Sequence, residues 1–302
     1  MADNVDLVAK KIESMKVRGA RDIAIAAVEA LRGVVEGGGR MPELAEAGER
    51  LKAARPSAIS LPNAVDYTLY LAEGNKVLKG DDFRVKTLRD INDYLRSLNE
   101  SIKKIADIGA GIIKDGDVIL THCNSDTAIS ILKKAWDEGK KIRVVCTEAR
   151  PRHQGYLTAR QLADHGIPTT LVIDSAVHWA IKALSVDKVI VGADTICANG
   201  DVVNKVGTAG IALCAHESDV DFFVAAESLK FSPQSLMGKM VKIEERDTKE
   251  VTELPGVAVR NPGFDVTESQ YIDAIITEEG LMPPQAAYHL LKEKYGWELK
   301  KP

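Results

Sequence analysis

The sequence predicts an α/β fold: a helical N-terminal domain over residues 1–112, then a domain over residues 113–302 built on a mainly parallel sheet. Three observations carry that expectation. Apolar residues recur at helical spacing through the first part, which holds no convincing strand. After residue 114, short β-rich runs alternate with helical patterns of roughly ten residues, the rhythm of βαβ crossovers. The polar clusters of this second part fall just after the β-rich runs, where a parallel sheet binds its ligands.

The elements follow in order. Residues 5–15 place Val5, Leu7, Val8, Ile12 and Met15 near helical spacing. After the Arg18-Gly19-Ala20 junction, residues 23–35 read as a second helix ending at Gly37-Gly38-Gly39, since glycine readily closes a helix. Residues 43–53 and 63–71 are further helices. Residues 83–113 form a long connecting helix whose stripe of Leu88, Ile91, Leu95, Leu98, Ile102, Ile105 and Ile108 serves packing. Strands are expected at 118–121, 142–147, 169–173, 189–191 and 221–225, separated by helices at 125–138, 156–166, 176–185 and 207–217. With right-handed crossovers these give a parallel, Rossmann-like sheet.

Composition narrows the function. A chain of 302 residues with 45% hydrophobic and 28% charged residues is globular, with room for about two domains. A net charge of −4 argues against a general binder of nucleic acid or membrane surfaces. No apolar run is long enough to span a membrane and no signal sequence is evident, so a cytoplasmic location is expected. The cysteines at 123, 146, 197 and 214 lack zinc-type spacing and disulfide density, which leaves reduced thiols.

Thr121-His122-Cys123-Asn124-Ser125 directly follows the apolar run Asp117-Val118-Ile119-Leu120. Cys123 is thus expected at a strand tip beside a helix start, where oriented N–H groups favour a thiolate and can hold an anion. Set against this, a cysteine ending a strand is more commonly inert packing. The run Val189-Ile190-Val191-Gly192-Ala193 delivers Asp194, which reads equally as a turn cap or as a secluded carboxylate able to exchange protons near neutrality. Asn204-Lys205 with Gly207-Thr208 at a helix start reads either as a phosphate site or as a surface turn.

Cofactor signatures are missing. Gly109-Ala110-Gly111 lacks a third glycine and precedes a strand, and neither a Walker loop nor an HExxH pattern occurs. His122 and His153 are isolated, so they are expected to be structural or solvated, with no metal. Side chains alone are expected to carry the chemistry, without a cofactor.

Several motifs occur in a telling order: Arg18-Gly19-Ala20, Arg55-Pro56-Ser57, Thr121-His122-Cys123-Asn124, Arg150-Pro151 with Gln154-Gly155, Gly192-Ala193-Asp194, Asn199-Gly200-Asp201 through Thr208, and Arg260-Asn261-Pro262 with Phe264-Asp265. Together, over essentially the whole chain, they resemble the superfamily that unites methylthioribose-1-phosphate isomerase, archaeal ribose-1,5-bisphosphate isomerase and the alpha, beta and delta subunits of translation initiation factor 2B. Retention of both Cys123 and Asp194 favours an isomerase over a regulatory subunit. The methylthioribose enzymes usually carry arginine where this chain has Thr195. The segment Glu227-Ser228-Leu229-Lys230-Phe231-Ser232-Pro233, with Ser125 and Arg21, resembles the ribose-bisphosphate branch.

The resemblance implies an aldose–ketose isomerase acting on ribose 1,5-bisphosphate in nucleoside-monophosphate breakdown. Cys123 is implied as the base at C2 and Asp194 as the acid that assists ring opening. Arg18, Gly19, Ala20 and Arg21, with Arg55, are implied to clamp one phosphate, and Asn204 and Lys205 to hold sugar or enolate oxygens. Lys230, with Ser125, Asp126 and Thr127, is implied for the other phosphate. The same resemblance implies a homo-oligomer, dimeric or hexameric as a trimer of dimers, and brings in AMP as a candidate activator. Methylthioribose 1-phosphate isomerisation and non-catalytic regulatory binding are the alternatives.

Overall fold

The computed structural model describes residues 2–17, 19–55, 58–238 and 241–296. Arg18, Pro56 and Ser57 of the sequence motifs lie outside the described residues. The chain divides into two compact units, Met1–Ser101 and Ile102–Pro302.

The first unit is helical: α1 (Ala2–Glu13), α2 (Ala20–Glu36), α3 (Met41–Ala53), α4 (Ser60–Gly74) and most of α5 (Gly80–Ile112). Gly19, at φ 82°, occupies the position before α2, a backbone conformation that glycine adopts without steric cost. Pro42 in the first turn of α3 and the Glu43 carboxylate accepting from the Arg40 amide at 2.9 Å fix that helix start. Ile23, Val28, Leu31, Leu44, Leu51, Leu61, Val65 and Ile91 are buried, which accounts for the apolar stripes.

The second unit continues with β1 (Val118–Thr121), α6 (Asp126–Asp137), β2 (Arg143–Thr147), α7 (Gln154–Asp164), β3 (Thr169–Val172), α8 (Val177–Ala183), β4 (Lys188–Gly192), β5 (Thr195–Ile196), β6 (Val202–Lys205), α9 (Thr208–Glu217), β7 (Asp221–Ala225), β8 (Phe264–Thr267), β9 (Ala274–Thr277), β10 (Gly280–Met282) and α10 (Ala287–Tyr295). Seven strands form one sheet in the order β10-β9-β7-β4-β1-β2-β3, parallel except for the β10 edge. Residues of α8, α9 and α10 pack one face of it; α6, α7 and the end of α5 pack the other. Gly109 lets α5 approach α6, since a Cβ there would lie 2.4 Å from Ile131.

The expected α/β class and mainly parallel sheet are present, and each expected strand and helix has its counterpart. Five strands were not anticipated. β9 and β10 extend the main sheet, and β5, β6 and β8 form a separate antiparallel sheet in the order β5-β6-β8. The Asn204-Lys205 stretch, read as turn or phosphate loop, is therefore the end of a buried strand. Among the described residues no helix is long and apolar enough to cross a membrane.

Candidate active site

The main sheet places β1 beside β4. From β1 the chain steps outward through β2 and β3, then returns to β4 and steps the other way through β7 and β9. Strand order thus reverses between β1 and β4, and the crevice at such a reversal is where open α/β sheets bind ligands. Cys123 stands two residues beyond the end of β1 and Asp194 two beyond β4. The two residues proposed for chemistry flank the switch point.

The Cys123 turn is held from several sides. Cys123 adopts φ 65°, left-handed and costly for a side chain with a Cβ, so neighbouring contacts must enforce it. Thr158 Oγ1 on α7 donates to the Cys123 carbonyl at 2.7 Å and lies 3.0 Å from Asn124 Oδ1. Gly155 lets α7 come this close, because a Cβ there would sit 1.7 Å from the Thr147 carbonyl. Ser125 caps α6, its Oγ accepting from the Ala128 amide at 3.4 Å. Gly192 leaves space for that hydroxyl; a Cβ would lie 2.3 Å from it.

His122 ties this turn to the next strand. Its Nε2 lies 3.0 Å from the Val206 carbonyl and its Nδ1 2.5 Å from Thr147 Oγ1. A carbonyl can only accept, so Nε2 carries the proton and Nδ1 accepts from the threonine. Burial holds the imidazole's pKa below its usual value, in keeping with the neutral form. His122 is structural, as one of its two sequence readings expected.

Beyond His122, the end of β6 presents Asn204 and Lys205. Asn204 Nδ2 donates to Thr208 Oγ1 at 3.0 Å. Lys205, 6% exposed, donates from Nζ to the Gly263 carbonyl at 3.2 Å and stands 5.0 Å from the centre of the Phe264 ring. Arg246 stands 5.2 Å from the same ring centre. Arg152, in the turn before α7, is bidentate on Glu250, with Nε 3.1 Å from each carboxylate oxygen. The Asn261 amide donates to the Asp247 carbonyl at 2.7 Å and pins the 245–261 loop that carries Arg246 and Glu250.

The electrostatics correct two expectations. The helix start was expected to make the Cys123 thiol easier to ionise. Burial instead pushes it up, with the Asp194 carboxylate adding to the rise, against a downward pull from the Lys205 ammonium, the Asn124 backbone amide and the Arg246 guanidinium. The thiol is 9% exposed, and a thiolate there loses more hydration than the short α6 start restores. Burial also pushes Lys205 down, opposed by Cys123, and Arg246 adds to the downward push. Asp194, read equally as a turn cap or as a secluded carboxylate, is exposed, at a bend two residues beyond β4.

The remaining predicted residues fall into distinct settings. Gly19, Ala20, Arg21 and Arg55 belong to the first unit; Arg21 pairs with Asp22 at 3.3 Å and Arg55 is half-buried. Ser125 serves as the α6 cap, Asp126 is exposed in its first turn, and the Thr127 hydroxyl donates to the Ala225 carbonyl at 2.8 Å. With a carboxylate at Asp126, the Thr127 hydroxyl given to Ala225 and the Ser125 hydroxyl in turn donating to Thr127 Oγ1 at 2.8 Å, the backbone amides are the neutral donors left there. Lys230 is not a free cation: its Nζ lies 3.4 Å from Glu227 on a buried side chain. The start of α9, read as one possible anion site, already holds an internal anion. Asp265 Oδ2 accepts from the Gly207 amide at 2.7 Å and the Ala209 amide at 3.2 Å. At Arg150 the backbone amide donates to Asp174 at 2.7 Å, so that turn is braced internally.

Sequence reasoning missed Arg152, Arg246 and Phe264 as neighbours of Lys205. The antiparallel register Lys205↔Phe264 sets Phe264 across from Lys205, the Phe264 ring and Gly263 gather Arg246 to it, and Arg152 is tied to the same loop through Glu250. Arg260-Asn261-Pro262 and Phe264-Asp265 were noticed as a motif, and that was the one available signal.

Against known proteins, the Initiation factor 2 subunit family matches residues 16–284 of the chain. Ribose 1,5-bisphosphate isomerase of Methanocaldococcus jannaschii is 47% identical, over 95% of this chain and 94% of that protein. The fold is similar to the Pyrococcus horikoshii OT3 translation initiation factor eIF-2B, with a TM-score of 0.76 at 32% identity, covering 93% of this chain and 97% of that one. It is similar as well to 5-methylthioribose 1-phosphate isomerase from the same organism, with a TM-score of 0.75 at 30% identity, covering 97% and 88%.

Proposed function

The chain belongs to the initiation factor 2 subunit family, and from that premise we propose that it is an aldose–ketose isomerase converting ribose 1,5-bisphosphate to ribulose 1,5-bisphosphate. One observation carries the reading beyond similarity: a thiol and a carboxylate stand on adjacent strand tips across the sheet's switch point, Cys123 enclosed and Asp194 open. Two titrating groups in unlike environments can divide base and acid roles.

The substrate is a ring closed over an anomeric phosphate, so it offers no aldehyde for simple enolisation. Asp194 gives a proton to the ring oxygen as the C1–O4 bond breaks. The Cys123 thiolate removes the C2 proton, and the electron pair forms the C1=C2 enol that keeps its C1 phosphate. Cys123 then returns a proton to C1 while Asp194 takes the C2 hydroxyl proton, leaving the ketone. The proton count closes, both groups end as they began, and no cofactor is required. Each acid–base role contributes roughly 10²–10⁴-fold.

Asn204 and Lys205 hold oxygens of the opened sugar. Arg18, Gly19, Ala20 and Arg21, with Arg55, clamp one phosphate by amides and guanidinium forks. Lys230, with Ser125, Asp126 and Thr127, meets the other. Residues 1–112 form the helical domain and 113–302 the domain that carries the chemistry. The enzyme works in the cytoplasm as a homo-oligomer, a hexamer built of dimers, in AMP breakdown, with AMP as activator.

Phosphorus NMR of the purified protein incubated with ribose 1,5-bisphosphate tests the activity. The anomeric phosphate signal should give way to a second primary phosphate ester. An unaltered spectrum would sink the reading.

A further inference from the structure

Lys205 and Arg246 share one aromatic ring. The Lys205 ammonium and the Arg246 guanidinium lie 5.0 Å and 5.2 Å from the centre of Phe264. Gly263 anchors both, its carbonyl accepting from Lys205 Nζ at 3.2 Å and its missing Cβ leaving room for Arg246 Nε, which a Cβ would meet at 2.8 Å.

The protein satisfies these cations only in part: Lys205 has the Gly263 carbonyl and Arg246 a long ion pair with Glu244. Among the described residues no carboxylate lies within ion-pair distance of Lys205, although its side chain is enclosed. Arg246 Nε is buried without a hydrogen-bond partner. Its ion-pair partner, Glu244, stands 3.6 Å away, beyond hydrogen-bonding length, and is itself 43% exposed, so it neutralises Arg246 less than the buried Glu227 does Lys230. No described residue accepts from the terminal guanidinium nitrogens. Two desolvated cations set side by side repel each other, and such a pair is costly unless an anion joins it. Lys230 differs, because Glu227 already pairs with it.

We propose that Lys205 and Arg246 form a phosphate subsite beside Cys123, with Arg246 as a substrate-binding residue. The chemistry selects the anion. A planar fork immobilised on a ring and beneath a glycine presents parallel N–H groups, and an adjacent ammonium adds a point charge. Together they suit a phosphate monoester dianion, and of the sugar's two phosphates it is the one otherwise given to Lys230, whose ammonium already faces Glu227. The location fits as well: both charges act on the Cys123 thiol, and the His122–Val206 hydrogen bond links the Cys123 turn to the residue after Lys205. That the phosphate is one of the sugar's own rests on the isomerase reading; the subsite does not.

Alkylation of Cys123 by iodoacetamide, with inorganic phosphate as the probe, tests the subsite without any sugar. In the wild-type protein, phosphate should slow alkylation saturably at constant ionic strength. Arg246→Gln should raise the half-protecting phosphate concentration at least about tenfold, the loss of one charge-assisted pair, with the melting temperature little changed. Should that variant not fold, Arg246→Lys, which keeps the charge and loses the fork, should still weaken protection severalfold. Equal protection of variant and wild type would overturn the proposal, as would the lack of protection in the wild type. Intact, Arg246-dependent protection in a protein that forms no ketose would support the subsite and count against the isomerase reading alone.

Discussion

His122 donates through Nε2 to the Val206 carbonyl at 3.0 Å and so fastens the residue before Cys123 to the residue after Lys205. The imidazole is 1% exposed, and the Thr147 hydroxyl bonds its other nitrogen at 2.5 Å. This one ring sets the spacing between thiol and ammonium. His122→Ala is expected to lower turnover about a hundredfold, the effect of a misplacement near 1 Å, and to displace the alkaline limb of Cys123 alkylation. His122→Gln can keep a donor toward Val206 and should recover part of both. Unchanged kinetics in the alanine variant would remove His122 from any positioning role.

The same ring makes a pH prediction. Burial holds the His122 pKa below 6.5 in the folded protein. The unfolded chain therefore binds more protons just below pH 6.5, and its contribution to stability, full above that value, is lost as pH falls through the folded pKa. The melting temperature of the wild type should decline below about pH 6.5, and His122→Gln should decline less steeply. Parallel curves would contradict this.

Cys123→Ser and Asp194→Asn should each cut turnover by roughly 10²–10⁴-fold or more while leaving circular dichroism and melting unchanged. Because burial raises the thiol and Lys205 lowers it, the wild-type rate should climb toward alkaline pH. Lys205→Met should move that climb to still higher pH. A rate independent of pH across this range would argue against a thiolate base.

Lys230→Ala needs a partner substitution to be read. Removing Lys230 alone leaves the buried Glu227 carboxylate without its cation, a loss of about 3–5 kcal/mol for a buried pair. The double variant Lys230→Met, Glu227→Gln should fold nearly as well as the wild type. If Lys230 binds phosphate, this variant should still raise KM for the bisphosphate at least tenfold; an unchanged KM would leave the Lys205–Arg246 subsite to hold that phosphate.

Much of this organisation is legible in the sequence, for a physical reason. The strands β1, β2, β4 and β7 are buried along nearly their whole length and read as continuous apolar runs such as Val118-Ile119-Leu120, and the residues that follow them are bound to reach the ligand edge. Cys123 and Asp194 could be found that way. The small antiparallel sheet could not. β5 has two residues, and β6 reads Val202-Val203-Asn204-Lys205, where buried polar side chains conceal the strand. Arg246 sits in a charged stretch whose local pattern resembles any solvated loop; its meaning comes from Phe264 and Gly263. Asp265 was quoted as part of a motif, yet its function of filling the α9 start depends on the β6–β8 register. Local pattern reports burial and strand ends. It carries no information on which distant side chains already satisfy one another.

The bisphosphate assignment is tested most directly by comparing kcat/KM for ribose 1,5-bisphosphate and 5-methylthioribose 1-phosphate on the same purified protein, following ketose formation. Efficient turnover of the bisphosphate and little or none of the methylthio sugar is expected, with Cys123→Ser abolishing it. Turnover of the methylthio sugar alone, or of neither, would contradict that assignment.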